Sequence, residues 1–246
     1  MYRSFFIYFL YISLVFPQTI DNYFIEGNNY FNNKDFKKAI ESYSKIIKKG
    51  FFSEDLYLNL GNAYFEIEDY GNARWSYEMG LKLNPLNDGL KNNNNVNKTY
   101  ITNYIEVPKN SLIEKINVFY QSLSINQFIL INSIIVLITS ILFFLFKVFE
   151  LRLFKRLYIY LASLSCIFLL ISLTKNFWDY NNKFGIIIEN ESILFSAPFK
   201  NESIEVSIFY SGNKVKVLQS TDLWLEISSL DGRKGWIRAQ DIRNLK

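Results

Sequence analysis

The chain contains no histidine and a single cysteine. The first absence removes the commonest general base, the commonest metal ligand and any imidazole-based pH switch. The second rules out an intrachain disulfide and a cysteine metal site, because Cys166 stands alone inside an apolar run. Strong charge of either sign is also missing: 27 Lys and Arg stand against 23 Asp and Glu, a net +4 that does not gather into a basic stretch. Nucleic-acid binding needs clustered cations for the phosphate backbone and is not expected. No G-x-x-x-x-G-K-[ST] phosphate cradle occurs, and no serine or threonine has a base poised beside it in a known pattern. Asp222 and Asp231 fall at turn positions, where aspartate is favoured by hydrogen bonds to its own backbone. The reading is of a non-enzyme with no cofactor, no metal and no catalytic residue.

Apolar residues make up 50% of the chain and are distributed unevenly. Arg3 followed by the apolar stretch Phe5–Phe16 reads as a secretory signal peptide over residues 1–17. Pro17 makes a poor cleavage site; cleavage near Gln18 is favoured over an uncleaved anchor, and either outcome exports the next segment of the chain. Two longer runs without a charge, 128–146 and 157–173, have the length of transmembrane helices. Between them, Lys147, Arg152, Lys155 and Arg156 face only Glu150, so residues 147–156 read as a cytoplasmic loop. Both flanking regions then lie in the periplasm. Asn132, Thr139, Ser140, Ser163, Ser165 and Cys166 are mildly polar positions within the spans, suited to helix–helix contact.

The region before the spans repeats itself. Tyr23 recurs as Tyr57, Gly27 as Gly61, Tyr30 as Tyr64, Ala39 as Ala73 and Tyr43 as Tyr77, a period of 34 residues. This period and these residue types resemble the tetratricopeptide repeat, a helix–turn–helix whose small residues let paired helices approach while aromatics fill the groove between them. Two repeats, about 20–53 and 54–87, predict helices near Tyr23–Asn33, Phe36–Lys48, Glu54–Ile67 and Tyr70–Leu83. A capping helix from Asp88 completes the array over 21–104, expected to cover it through Val96, Tyr100 and Tyr104, four residues apart. Asn92–Asn95 are weak helix formers, and compositional drift alone would also leave such a run. A linker, 105–127, leads to the first span. On the concave face the first helix of each repeat offers Asp21, Phe24, Asn28 and Phe31, then Asp55, Leu58, Asn62 and Phe65. Asn28, Phe31, Asn62 and Phe65 are the candidate peptide-binding residues. Two stacked amides suit the backbone of an extended peptide, and no Lys or Arg is present to clamp a free carboxylate.

After the spans the period changes to that of short strands, with turns at Ala197-Pro198, Ser211-Gly212-Asn213 and Leu230-Asp231-Gly232. Asp222-Leu-Trp224-Leu-Glu-Ile227 followed by Asp231-Gly232-x-x-Gly235-Trp236-Ile237 resembles the bacterial SH3-like domain, which implies a small barrel over 183–246. Tyr210, Trp224 and Trp236 are candidates for an aromatic platform toward a proline-rich or peptidoglycan peptide. The resemblance itself places Trp236 in the core.

Taken together, these features predict a multidomain membrane protein: an all-α tetratricopeptide array, a two-helix transmembrane hairpin and an all-β SH3-like barrel. That order resembles the BatE family of the Bat (Bacteroides aerotolerance) set. The resemblance is carried by Tyr77-Glu78-Met79-Gly80-Leu81-Lys82-Leu83-Asn84-Pro85 and by Tyr104-Ile105-Glu106-Val107-Pro108 ahead of the first span. It implies a scaffold in the bacterial inner membrane, with von Willebrand A-type Bat proteins and a MoxR-type ATPase as partners besides the lipid bilayer. The alternative is a wall sensor or attachment protein that grips peptidoglycan through the SH3-like domain.

Overall fold

A computed structural model describes residues 21–105, 123–181, 183–198 and 204–245. The signal expected over 1–17 and most of the linker lie outside these residues. The chain divides into two units: the repeat region with the C-terminal sheet, and the apolar hairpin.

In the first unit, helix α1 covers residues 21–32, α2 Phe36–Lys48, α3 Glu54–Glu66, α4 Tyr70–Leu83 and α5 Asp88–Thr99. Each start after α1 has a side chain that satisfies an orphan backbone N–H. Ser53 Oγ accepts from Leu56 N at 3.1 Å, Asp69 Oδ1 from Asn72 N at 3.1 Å, and Asn87 Oδ1 from Leu90 N at 3.0 Å. The turns inside the two repeats are copies of one another. Lys34 and Glu68 both adopt positive φ, at 60° and 61°. In each, the next N–H returns to a tyrosine carbonyl, Asp35 to Tyr30 at 2.9 Å and Asp69 to Tyr64 at 3.0 Å.

The small residues do what the period requires. A Cβ on Gly27 would lie 2.5 Å from the Tyr43 ring, and one on Gly61 would meet Tyr77 in the same way. Ala39 and Ala73 are wholly buried. The capping helix exists but turns a different face inward. Leu90, Asn94 and Asn97 are its buried residues, whereas Val96 and Tyr100 are 51% and 54% exposed. Leu90 fills the space left by Gly80, and the two amides find polar partners that apolar patterning does not reveal: Asn94 Nδ2 donates to Glu78 Oε1 at 3.4 Å and Asn97 Nδ2 to the Tyr70 carbonyl at 3.0 Å.

The C-terminal region forms seven strands: β1 Lys183–Ile187, β2 Glu191–Phe195, β3 Glu205–Tyr210, β4 Lys214–Ser220, β5 Trp224–Ser229, β6 Lys234–Arg238 and β7 Ile242–Leu245. They make a sheet of order β3-β2-β6-β5-β4-β1-β7. Alternate residues point inward, so Leu194, Phe209, Val215, Leu225, Ile227 and Ile237 form its core. Asp231-Gly232 turns β5 into β6, with Gly232 at φ 92° and Asp231 Oδ1 accepting from Arg233 N at 3.3 Å. The expected barrel does not close: β3 and β7 remain the two ends of an open sheet. Helix α4 occupies the β7 end, where Trp75 Nε1 donates to the Asn244 carbonyl at 2.9 Å and Lys82 Nζ to the Leu245 carbonyl at 3.2 Å.

That docking joins array and sheet through one core, in which Tyr57, Leu60 and Trp75 pack with Ile186 and Leu245. A Cβ on Gly71 would collide with Ser211 Oγ and stand 2.8 Å from the Ile187 carbonyl, so the missing side chain is what lets α4 approach. Arg74 donates to the Gly212 carbonyl at 2.6 Å. Glu78 lies between Lys214 at 2.7 Å and Arg74 at 3.6 Å. Burial opposes ionisation of Glu78, but the two cations outweigh it and hold the carboxyl well below its usual range.

The second unit is a hairpin of α6, Ile125–Phe149, and α7, Arg152–Asn181. Ser124 and Gln127 form a reciprocal capping box at its start, and Glu150 ends α6 at φ 56°. The 18-residue apolar windows in Ile125–Phe149 and Arg152–Lys175 have mean hydropathies of 2.7 and 2.1, and only 6% and 0% of them is buried. Helices of this length with their apolar side chains outward are long and apolar enough to cross a membrane, and they are not buried core helices. Ser165 Oγ donates to Asn132 Oδ1 at 2.8 Å across the pair, while Thr139 and Ser140 bond back to their own helix. The loop expected over 147–156 shrinks to Glu150-Leu151, and its four cations sit on helical turns instead.

Candidate functional site

Two equivalent hydrogen-bond clusters tie the array helices together. On α1, Asn28 Oδ1 accepts from the Tyr43 hydroxyl at 2.7 Å and from Asn59 Nδ2 at 3.0 Å. On α3, Asn62 Oδ1 accepts from the Tyr77 hydroxyl at 2.9 Å and from Asn93 Nδ2 at 2.7 Å. Each asparagine follows a packing glycine, so the same close approach that seats the tyrosine ring also brings its hydroxyl to the amide. Both tyrosines are buried. Burial pushes the Tyr43 hydroxyl up to about 12 and raises that of Tyr77 further, so both remain protonated donors.

These bonds alter the expected role of Asn28 and Asn62. Their amide oxygens hold the helices together and are not open to a ligand. Among the described residues, Nδ2 of each and Oδ1 of Asn59 and Asn93 have no partner. Each cluster therefore keeps an unpaired amide NH2 and an unpaired amide oxygen on partly exposed side chains, groups that can pair with a peptide unit. Asn59 and Asn93 escaped the sequence reading, although the signal was present: the two are themselves one repeat apart. The asparagine run that compositional drift would also produce thus supplies a groove residue, Asn93, and a residue that seals the cap, Asn94, with Asn97 just beyond the run doing the same.

Three of the four candidate groove residues come together. Phe31, Asn62 and Phe65 line a cavity of about 280 Å³ with Glu66, Tyr77, Asn93 and Val96. Phe31 is held edge-on to Phe36 at 5.3 Å, and Phe65 edge-on to Tyr70 at 5.6 Å and to Tyr100 at 5.3 Å. Asn28 belongs to the preceding cluster. Exposed Val96, expected to cover the array, serves as a wall of this cavity. The result is a cleft with apolar sides, amides at its base and one carboxylate, Glu66, at its rim.

The aromatic candidates on the sheet separate. Trp224 stands edge-on to Phe195, with centroids 5.5 Å apart at 89°, and Phe195 is the cross-strand partner of Trp236. All three are partly exposed on the outer face, so Trp236 lies outside the core, whose β6 member is Ile237. Tyr210 pairs with Glu191 at the far end of β2, roughly 13 Å along the strand from Phe195 at 3.3 Å per residue. Phe195, unremarked in the sequence, takes the place expected of Tyr210.

Comparison with known families matches the tetratricopeptide repeat at residues 20–48 and 54–85. The two matched segments hold the pairs Asn28–Tyr43 and Asn62–Tyr77, while Asn93 lies beyond them. No curated protein matches the chain.

Proposed function

We propose that the protein is a non-enzymatic scaffold anchored in the bacterial inner membrane, whose repeat groove holds an extended segment of a partner protein in the periplasm. The observation that carries this reading is the repeated asparagine pair with its unpaired donor and acceptor groups, the second of which, Asn62 with Asn93, lines an apolar-walled cleft. Peptide backbone fits that pattern, Phe31, Phe65 and Val96 accept an apolar side chain, and Glu66 favours a neighbouring cation. Two apolar helices supply the anchor, and confinement to one membrane raises the effective concentration of partners sharing it. Resemblance to the BatE family supports, as partners, von Willebrand A-type Bat proteins and a MoxR-type ATPase system, within an envelope complex linked to aerotolerance or stress.

The informative variant is Asn59→Ala with Asn93→Ala, which removes both unpaired oxygens while leaving each tyrosine hydroxyl paired to Asn28 or Asn62. Affinity capture of tagged full-length protein from gently solubilised membranes should recover von Willebrand A-type proteins, and the double variant should lose them without a change in helix content. Undiminished capture by the double variant would remove the groove from the proposal.

The second reading, wall attachment through the SH3-like region, draws on the outward cluster Phe195, Trp224 and Trp236. Since the sheet shares a core with the array, the test uses the full chain. Cosedimentation of the detergent-solubilised protein with purified peptidoglycan, lost on Trp224→Ala, would support it; protein left in solution would count against it.

A further inference from the structure

The turn of the apolar hairpin carries positive charge that no acidic side chain pairs with among the described residues. Lys147 stands in the last turn of α6, and Arg152, Lys155 and Arg156 occupy the first turns of α7 at positions i, i+3 and i+4, which share one helix face. All four are exposed, and among the described residues none forms an ion pair. Only Glu150 lies among them. Apolar side chains are interleaved with the cations: Val148, Phe149, Leu151 and Leu153 are 54%, 59%, 53% and 62% exposed. A segment facing only water would not combine the two, because the apolar side chains would gain nothing there. A soluble anion would be met by the cations and leave the apolar residues unused.

Given the membrane-spanning reading of the hairpin, we propose that this turn is a binding site for the anionic headgroup of a phospholipid. The phosphate is met by the guanidinium and ammonium groups on the exposed face of α7, with Lys147 beside them. Arginine offers the planar fork that pairs with two phosphate oxygens at once, and the long stems of both residue types let the charge reach the headgroup while the chain stays along the apolar surface. Leu151 and Leu153 reach the acyl chains of the same lipid. The site selects for lipid charge, beyond the general attraction that orients the hairpin.

The test uses the full chain in nanodiscs of equal parts phosphatidylglycerol and phosphatidylcholine, released and weighed by native mass spectrometry. Phosphatidylglycerol should be retained in excess over phosphatidylcholine. The excess should vanish in the triple variant Arg152→Gln, Lys155→Gln, Arg156→Gln and survive in Arg152→Lys with Arg156→Lys. Alkaline extraction of the host membranes is run in parallel on every variant. A chain that is extracted overturns the membrane reading and this proposal with it; an integral chain holding both lipids equally overturns the headgroup site alone. Selection that persists in the glutamine variant does the same. Displacement of the lipid by inorganic phosphate would assign the cations to a soluble anion and overturn the lipid assignment.

Discussion

Gly61 and Asn62 are adjacent, yet their replacement should fail for different reasons. An alanine at 61 drives its Cβ into the Tyr77 ring, which is buried within the helix pair, and overpacking of this kind costs about 1–3 kcal/mol. An alanine at 62 removes no packing but leaves the buried Tyr77 hydroxyl without its acceptor, a loss of about 1–3 kcal/mol. Asn93→Ala should cost much less, since Asn93 is only partly buried and Tyr77 keeps its bond to Asn62. Thermal unfolding of the three variants should place Asn93→Ala nearest the parent. The same hydroxyls set a pH limit. Unfolded tyrosine ionises near its ordinary value of 10, whereas Tyr43 does so only at about 12 when folded. The unfolded chain therefore sheds protons first, and stability present below pH 10 should fall between 10 and 12. Helical circular dichroism against pH, repeated with Tyr43→Phe, checks this: the variant should lose part of the slope.

Helix α4 works on two sides at once. Tyr77 faces the groove, while Arg74, Trp75 and Glu78 hold the sheet. Glu78→Gln leaves Lys214 and Arg74 facing a neutral amide. Its cost should be about 2 kcal/mol, between the ranges for exposed and fully buried pairs, because both Glu78 and Lys214 keep some solvent contact. The variant should free the Trp75 indole, read as a red shift of its emission as the sheet loosens, with the array helices retained. Acid should act in the same direction. The Glu78 carboxyl is held below its ordinary 4.5, so the stabilisation it gives is complete above that value and is lost as pH falls below it. A loosening that starts above about pH 5 would point to some other group.

Under the proposed membrane anchoring of the two apolar helices, a unit assembled from segments before and after them requires both segments on one side of the membrane. In a Cys166→Ser background, cysteines at Asn95 and Gln219, both exposed, should react together with a membrane-impermeant maleimide, and one at Lys147 should not. Labelling of Asn95 and Gln219 on opposite sides would be incompatible with the shared core. Much of this molecule was legible in its sequence because the signals are local. A period of 34 residues names the helices, a glycine facing a tyrosine names their close approach, and uncharged apolar runs name the long helices, each following from residue type and spacing within a few turns. What the tertiary structure decided lies between elements. The partners of Asn28 and Asn62, the inward face of α5, the open sheet and the bed of α4 all depend on which polar groups meet once the chain has folded. Arg74 finds Gly212 across 138 residues and Arg243 finds Asn72 across 171. No local period encodes such pairings, because a hydrogen bond depends on geometry that burial imposes and not on the spacing of residues along the chain.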